Sequence, residues 1–409
     1  MKETKFKDTE IGKIPEEWET LYIHQITEIS TGATPSTNIN EYWENGTIRW
    51  MSSGELNNKI IYDVNGRITQ KGYDNTGTHM LPKNCVLIGL AGQGKTRGTA
   101  AYNKVELCTN QSIAAILPNS KYESKYLYFY IDSLYDKLRL LSAGDGGRGG
   151  LNKQILQNLE IAMPPLNEQR RIASALTSID NLISSLGKLI EKKKNIKQGA
   201  MQQLLTGKTR LKGFTEPWVY RKISEIATTS SGGTPSRSIP NYYYGDIKWF
   251  TTTELKDNYL YDSVEHITRE ALNNSSAKMF SANTILMAMY GATIGKLGVL
   301  KEPSTTNQAC CAIKCNDIVE IFLFYILLYN RKSIIEKGCG AGQPNISQAI
   351  VNELSFLVPP CEKEQQAIAT ILTKMDDEIT ALEAKRAKYE AIKQGMMQQL
   401  LTGKIRLIS

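Results

Sequence analysis

The hydrophobic positions of the chain alternate between two kinds of text. Short apolar runs, such as residues 85–88 and 112–117, stand between breaks rich in Gly and Asn and predict short strands. Residues 123–141, and later residues 319–336, predict a helix beside each group of strands. Then the period changes. Ile172, Leu176, Ile179, Ile183, Leu186 and Ile190 recur at spacings of 4-3-4-3-4, a period of 3.5 residues on an otherwise polar background. Ile368, Leu372, Met375, Ile379 and Leu382 repeat the seam, which then meets Arg386. A Pro-Pro pair precedes each stretch and Gly207 or Gly403 closes it, so each reads as a helix of about 38 residues, roughly 57 Å long.

A narrow seam on a polar helix needs a second seam, because propensity alone does not hold so long a solvated helix. The two helices of one chain are the obvious pair, and packing antiparallel would put one globular module at each end of a rod. By register, Lys193 or Lys197 is expected to face Arg386 or Lys393 in the weaker halves. That weakening marks either a surface for other subunits or a wetted helix end.

The two kinds of text are written twice. Thr34, Pro35 and Ser36 recur as Thr234, Pro235 and Ser236, an offset of 200. Trp50 recurs as Trp249, Asn110 and Gln111 as Asn307 and Gln308, and Pro164 and Pro165 as Pro359 and Pro360. Glu168 and Gln169 return as Glu364 and Gln365, and residues 203–208 as residues 399–404, both at an offset of 196. The order is kept and the offset drifts by only five residues, so the chain is a tandem duplication. The helix text matches closely, whereas the globular text matches only at anchors. One framework therefore carries two different surfaces; drift in loops is the alternative. The expected fold is α+β, with two globular domains related by a pseudo-twofold axis and separated by an antiparallel coiled coil of two long helices. The expected divisions are a first globular domain over residues 1–165, a helix over 166–207, a second domain over 208–361, and a helix with the chain end over 362–409.

Composition changes this picture little. The 409 residues carry 49 Lys and Arg against 41 Asp and Glu, a net charge of +8, which permits a polyanionic partner without demanding one. The seven Cys are irregularly spaced, and Cys311 with Cys315 lacks the second ligand pair of a zinc site. Free thiols and the lack of a signal peptide or membrane span suit a cytoplasmic protein.

Residues 89–96 match the phosphate-cradling pattern G-x-x-x-x-G-K-S/T letter for letter. A nucleotide enzyme is therefore one hypothesis. Against it, residues 97–100 do not open a helix, and the second copy, residues 291–296, keeps a Lys but loses the pattern. A Gly-rich basic loop that lets the backbone approach a nucleic-acid phosphate is the better reading; a plain turn is the alternative. Residues 144–153 and their counterpart 337–347 form a second such loop, or else a hinge. Arg reads guanine edges, and Asn or Gln reads adenine. The candidate DNA contacts are Ser52, Ser53, Gln93, Lys95, Arg97, Arg148, Asn152 and Lys153 in the first module. In the second they are Thr252, Lys256, Tyr290, Thr293, Lys296, Gln343 and Asn345. Trp50 and Trp249 read as core. The basic run 188–197 reads as a solvated helix face. The three His form no cluster, and neither Pro-Pro pair sits in the motif of DNA amino-methyltransferases. The sequence reads as a recogniser; a structural coiled-coil adaptor is a third hypothesis.

With these motifs in this order, twice, the chain resembles the specificity subunit of type I restriction–modification enzymes. The resemblance rests on Thr34-Pro35-Ser36 and Thr234-Pro235-Ser236. It rests equally on Pro164-Pro165 with Glu168-Gln169, Pro359-Pro360 with Glu364-Gln365, and the Gln-Gln-Leu-Leu-Thr-Gly-Lys close of each helix. It implies two target recognition domains, each reading half of a bipartite asymmetric DNA site, with the helices as a ruler between them. It implies two modification subunits docked on this chain and restriction subunits joining the same core. S-adenosylmethionine, ATP and magnesium would belong to those partners, with no catalytic residue and no metal in this chain.

Overall fold

The computed structural model describes residues 4–92, 94–142, 150–338 and 345–408. The chain forms two compact units, Met1–Gly187 with Lys385–Ser409, and Lys188–Ala384. The first unit is built from both ends of the chain; the second is one continuous stretch.

Both units are built alike. In the first, a five-stranded sheet runs in the order Ile29–Thr31, Ile113–Ile116, Val86–Gly89, Ala100–Asn103, Ile60–Ile61. Its pairs are antiparallel except the last, which is parallel. In the second, the order is Ala227–Ser231, Cys310–Cys315, Ile285–Ala288, Leu297–Leu300, Asn258–Leu260, again with one parallel pair at the edge. The central strands are apolar without alternation because both faces are covered. Val86, Ile88, Ala100, Tyr102, Ala114 and Ile116 face the core that holds the helix Ser124–Ser133. Leu87, Ala101, Ile113 and Ala115 face Met51, Leu56 and Ile61 on the other side. A three-stranded sheet lies beyond: Cys108–Thr109, Ile48–Met51, Arg67–Ile68 in one unit, and Glu265–Ile267, Ile247–Phe250, Thr305–Thr306 in the other. Trp50 and Trp249 are buried there, and their indole N–H groups donate to Ala33 O at 3.0 Å and Gly233 O at 2.9 Å. The Thr-Pro-Ser and Asn-Gln repeats meet beside them: the Thr34 hydroxyl donates to the Gln111 side chain, and that of Thr234 to Gln308.

The helix expected over residues 123–141 is two helices, Ser124–Ser133 and Tyr135–Leu141; its counterpart is Glu320–Tyr329 and Arg331–Lys337. The break falls at Leu134 and Asn330, both with ψ near zero. Leu134 N–H reaches back to Ile131 O, a tighter turn, while the Asn330 side-chain amide and backbone N–H both donate to Ile326 O, at 2.9 and 3.0 Å.

The long helices are Leu166–Leu204 and Glu362–Leu400, each of 39 residues. Each gives one end to each unit, and within each unit the two segments run antiparallel. In the first unit Ile172 and Leu176 share a core with Met397, Leu400 and Leu401. In the second, Ile368 and Leu372 share one with Met201, Leu204 and Leu205. Of the predicted seam, Ile179, Leu186, Ile190 and Ile379 are also buried, while Ile183, Met375 and Leu382 are half-buried. The seam lysines do not face Arg386 or Lys393. Lys197 bonds Asp376 at 2.5 Å, Lys193 bonds Glu378 at 2.6 Å, and Lys393 bonds Asp180 at 2.6 Å. Arg386 pairs along its own helix with Glu390. The antiparallel register brings these three lysines opposite carboxylates of the other helix, which opposes like-charge contact in a half-buried seam. Lys393 also lies over the Phe129 ring and Lys197 over Tyr325.

The repeated Glu-Gln pair starts each helix and fixes it to its unit. The Gln169 carbonyl accepts Glu123 N–H at 2.9 Å while its amide donates to Pro164 O at 2.8 Å; Gln365 does the same with Val319 and Pro359. Glu168 is buried and takes both arms of Arg406, at 2.7 and 2.8 Å. Glu364 takes both arms of Arg210, also at 2.7 and 2.8 Å. Arg406 thus does from the end of the chain what Arg210 does from its middle.

Candidate nucleic-acid interface

At one end of each five-stranded sheet a turn between two strands meets a neighbouring segment of the same unit. In the first unit, residues 90–99 join the antiparallel strands Val86–Gly89 and Ala100–Asn103. The segment that matches the phosphate-cradling pattern therefore opens into a strand, not a helix N-terminus, and cannot cradle a phosphate as that motif does. Its glycines serve the turn. Gly98 N–H donates to Gly89 O at 2.9 Å, and a Cβ on Gly89 would stand 2.2 Å from Thr96 O. Gly92, Gly94 and Gly98 have φ of 124°, 92° and 80°, where side chains are strained. The loop is held by its carbonyls: Tyr135 OH donates to Lys95 O at 3.2 Å and Arg139 donates to Gly94 O.

Residues 289–296 make the equivalent turn in the second unit. Tyr290 pairs with Asn345 as an isolated antiparallel bridge, and Ile346 N–H donates to Met289 O at 2.7 Å. The second glycine-rich segment thereby meets the first. In the first unit the same neighbourhood brings Leu90 and Leu151 into one core. A third segment leads toward the same end: the 3-10 turns Ser53–Asn58 and Thr252–Glu254 follow the tryptophan strands, and Leu56 packs beside Gly89.

A family model for the type I restriction modification DNA specificity domain matches residues 15–198 and again 215–394. The chain belongs to the type I restriction–modification specificity subunits. The MjaVIII specificity subunit of Methanocaldococcus jannaschii is 27% identical, over 99% of this chain and 97% of its own. The EcoR124I/EcoR124II specificity subunit of Escherichia coli is 30% identical over 44% of each chain. The crystal structure of an S subunit from M. genitalium shares the fold at 16% identity, with a TM-score of 0.64 over 94% of this chain and 96% of that one.

Within this specificity subunit, Lys95 and Lys153 are exposed and Arg97 is half-buried, with its guanidinium 3.3 Å from the Ser142 hydroxyl. Asn152 accepts Ile155 N–H at 2.9 Å and so caps the helix Lys153–Gln157. Ser52 is held through Glu55, which takes its N–H at 3.1 Å, while Ser53 is half-buried. Thr252 is half-buried and Lys256, Tyr290 and Asn345 are exposed. Thr293 O accepts Lys296 N–H at 2.9 Å within the turn, and the Lys296 ammonium bonds Asp257 at 2.9 Å. Gln93, Arg148 and Gln343 lie outside the described residues. The structure thus places Gly150 and Leu151 beside the first loop of one unit, and Asn345 and Ile346 beside that of the other. It commits Asn152 and Lys296 to internal bonds. Tyr135, Arg139, Asp257 and Arg331, which shape the loops, were missed: they lie in other elements, and no motif joins them.

Cys311 is buried and Cys315 half-buried, both on the strand Cys310–Cys315. Burial pushes both thiols up to about 12, so they stay protonated. Among the described residues no three His, Cys, Asp or Glu converge as a metal site, and no helix is long and apolar enough to cross a membrane.

Proposed function

We propose that each unit of this specificity subunit reads one half of a bipartite, asymmetric DNA site. The observation that carries this reading is the turn and the neighbouring segment that meet in each unit, built on one framework but from different residues. Lys95, Arg97 and Lys153 lie on these segments in one unit, and Tyr290, Thr293 and Asn345 lie on those of the other. Equal frameworks with unequal loops suit two different half-sites. A modest net charge of +8 supplies phosphate attraction without sequence preference.

The two long helices set the spacing between half-sites. Each is about 58 Å long at 1.5 Å per residue, or about one and a half turns of duplex. They also dock two modification subunits, through which restriction subunits join. S-adenosylmethionine, ATP and magnesium act in those partners, in the cytoplasm, and this chain supplies address rather than chemistry. The test is to map methylated adenines in cells carrying this chain with its modification partner, then to exchange residues 215–361 for those of a relative. One half-site should change and the other persist. Change in both halves, or in neither, refutes the modular reading.

A further inference from the structure

The loop at residues 289–296 is held by a charge cluster. Asp257 precedes the strand Asn258–Leu260 in the left-handed region, with φ of 63°. Its N–H donates to Leu297 O at 2.8 Å, and its carboxylate accepts Leu297 N–H at 3.1 Å. The same carboxylate takes Lys296 Nζ at 2.9 Å and the Arg331 guanidinium. Arg331 Nε donates in turn to Gly295 O at 2.8 Å, closing a ring from strand edge to helix to loop. The side chains of Asp257 and Arg331 are only 19% and 23% exposed, so salt screens this pair weakly. In the first unit the matching left-handed residue is Lys59, with φ of 61°, and its partner is Asp132 of the helix Ser124–Ser133 at 2.7 Å, not the loop. Lys95 is exposed there, and among the described residues no carboxylate lies within ion-pairing distance of it.

We propose that Asp257 is the positioning residue of the second recognition loop and that Lys296 belongs to this clamp rather than to a phosphate contact. The second half-site is then read without Lys296, from a fixed backbone, while the first is gripped through Lys95. This rests on the DNA-reading function proposed above. The experiment uses the full chain assembled with its modification partner. It comprises selection from a random duplex pool, the salt dependence of binding to the selected duplex, and segment-resolved hydrogen exchange without DNA.

Asp257→Asn keeps a side chain that tolerates the left-handed backbone while removing the charge. It should speed exchange across residues 289–297 and weaken preference in one half-site by about fivefold or more, leaving the other unchanged. Lys95→Met should lower the slope of log K against log salt by about 0.9, and Lys296→Met should leave it unchanged. The inference is overturned by a slope loss in Lys296→Met equal to that in Lys95→Met. It is overturned equally by an Asp257→Asn protein whose loop exchange and half-site preferences match the wild type. Should Asp257→Asn fail to fold, Lys296→Met decides alone. A wild-type complex that selects no sequence refutes the DNA-reading function instead, and loop exchange then still decides the positioning role.

Discussion

Removing the Arg406 guanidinium should unlatch the first unit. The Arg406 side chain is 7% exposed and that of Glu168 is 2% exposed. The guanidinium makes two bonds to Glu168 and one to Glu17 at 2.8 Å, and lies 5.8 Å from the centre of the Trp18 ring. In Arg406→Ala, Glu168 keeps only two neutral donors, Trp18 Nε1 at 3.1 Å and Leu407 N–H at 3.2 Å, for a buried charge. Breaking such a pair from one side costs about 3–5 kcal/mol. For a unit of this size that lowers the midpoint of thermal unfolding by roughly 6–20 °C. The assay is calorimetry together with hydrogen exchange resolved by segment. The strands Glu19–Tyr22 and Glu160–Met163 should lose protection first. The double variant Glu168→Gln with Arg406→Met leaves no buried charge and should recover most of the loss. A shift below about 2 °C in Arg406→Ala, or a double variant as unstable as the sum of its parts, would refute the reasoning.

Other consequences are checked by similar means. Gly233→Ala should destabilise the second unit by about 1–3 kcal/mol in denaturant titration, because the new Cβ would stand 2.2 Å from the Ser276 carbonyl carbon. Position 33 of the first unit already carries Ala, so Ala33→Gly should cost less there, about 1 kcal/mol or below. Asp180→Asn should cost about 1–3 kcal/mol by the same titration, since Lys393 loses its carboxylate partner in a half-buried seam. The isolated chain should show no ATP binding by calorimetry at millimolar nucleotide, and Lys95→Ala should leave that result unchanged; binding lost in the variant would restore the phosphate-loop hypothesis.

The duplication, the short strands and both long helices were legible because each leaves a period in the text. A 3.5-residue seam can only be a helix seeking a partner, and strands covered on both faces read as unbroken apolar runs. The breaks at Leu134 and Asn330 were not legible, because a tightened turn and one side-chain amide leave the apolar period almost undisturbed. The pairing of Lys197 with Asp376 was hidden for another reason. Heptad positions say which face a residue occupies, whereas the register between helices is set by how each helix start is tied to its unit, through Gln169 and Gln365. At the interface, composition pointed to the glycine-rich loops. It could not show the ion pair of Lys296 with Asp257, which lies 39 residues away in sequence.

Because the first unit's core includes Met397, Leu400 and Leu401, that core cannot be completed until those residues have been made. The strands of that unit leave the ribosome first, yet their last apolar partners follow more than two hundred residues later, roughly 10–45 s at ordinary elongation rates. The second unit, one continuous stretch, has its whole core available sooner. The nascent chain therefore lacks these apolar partners of Ile172 and Leu176 until residues 397–401 arrive, and a stop codon near residue 385 would leave that surface open for good.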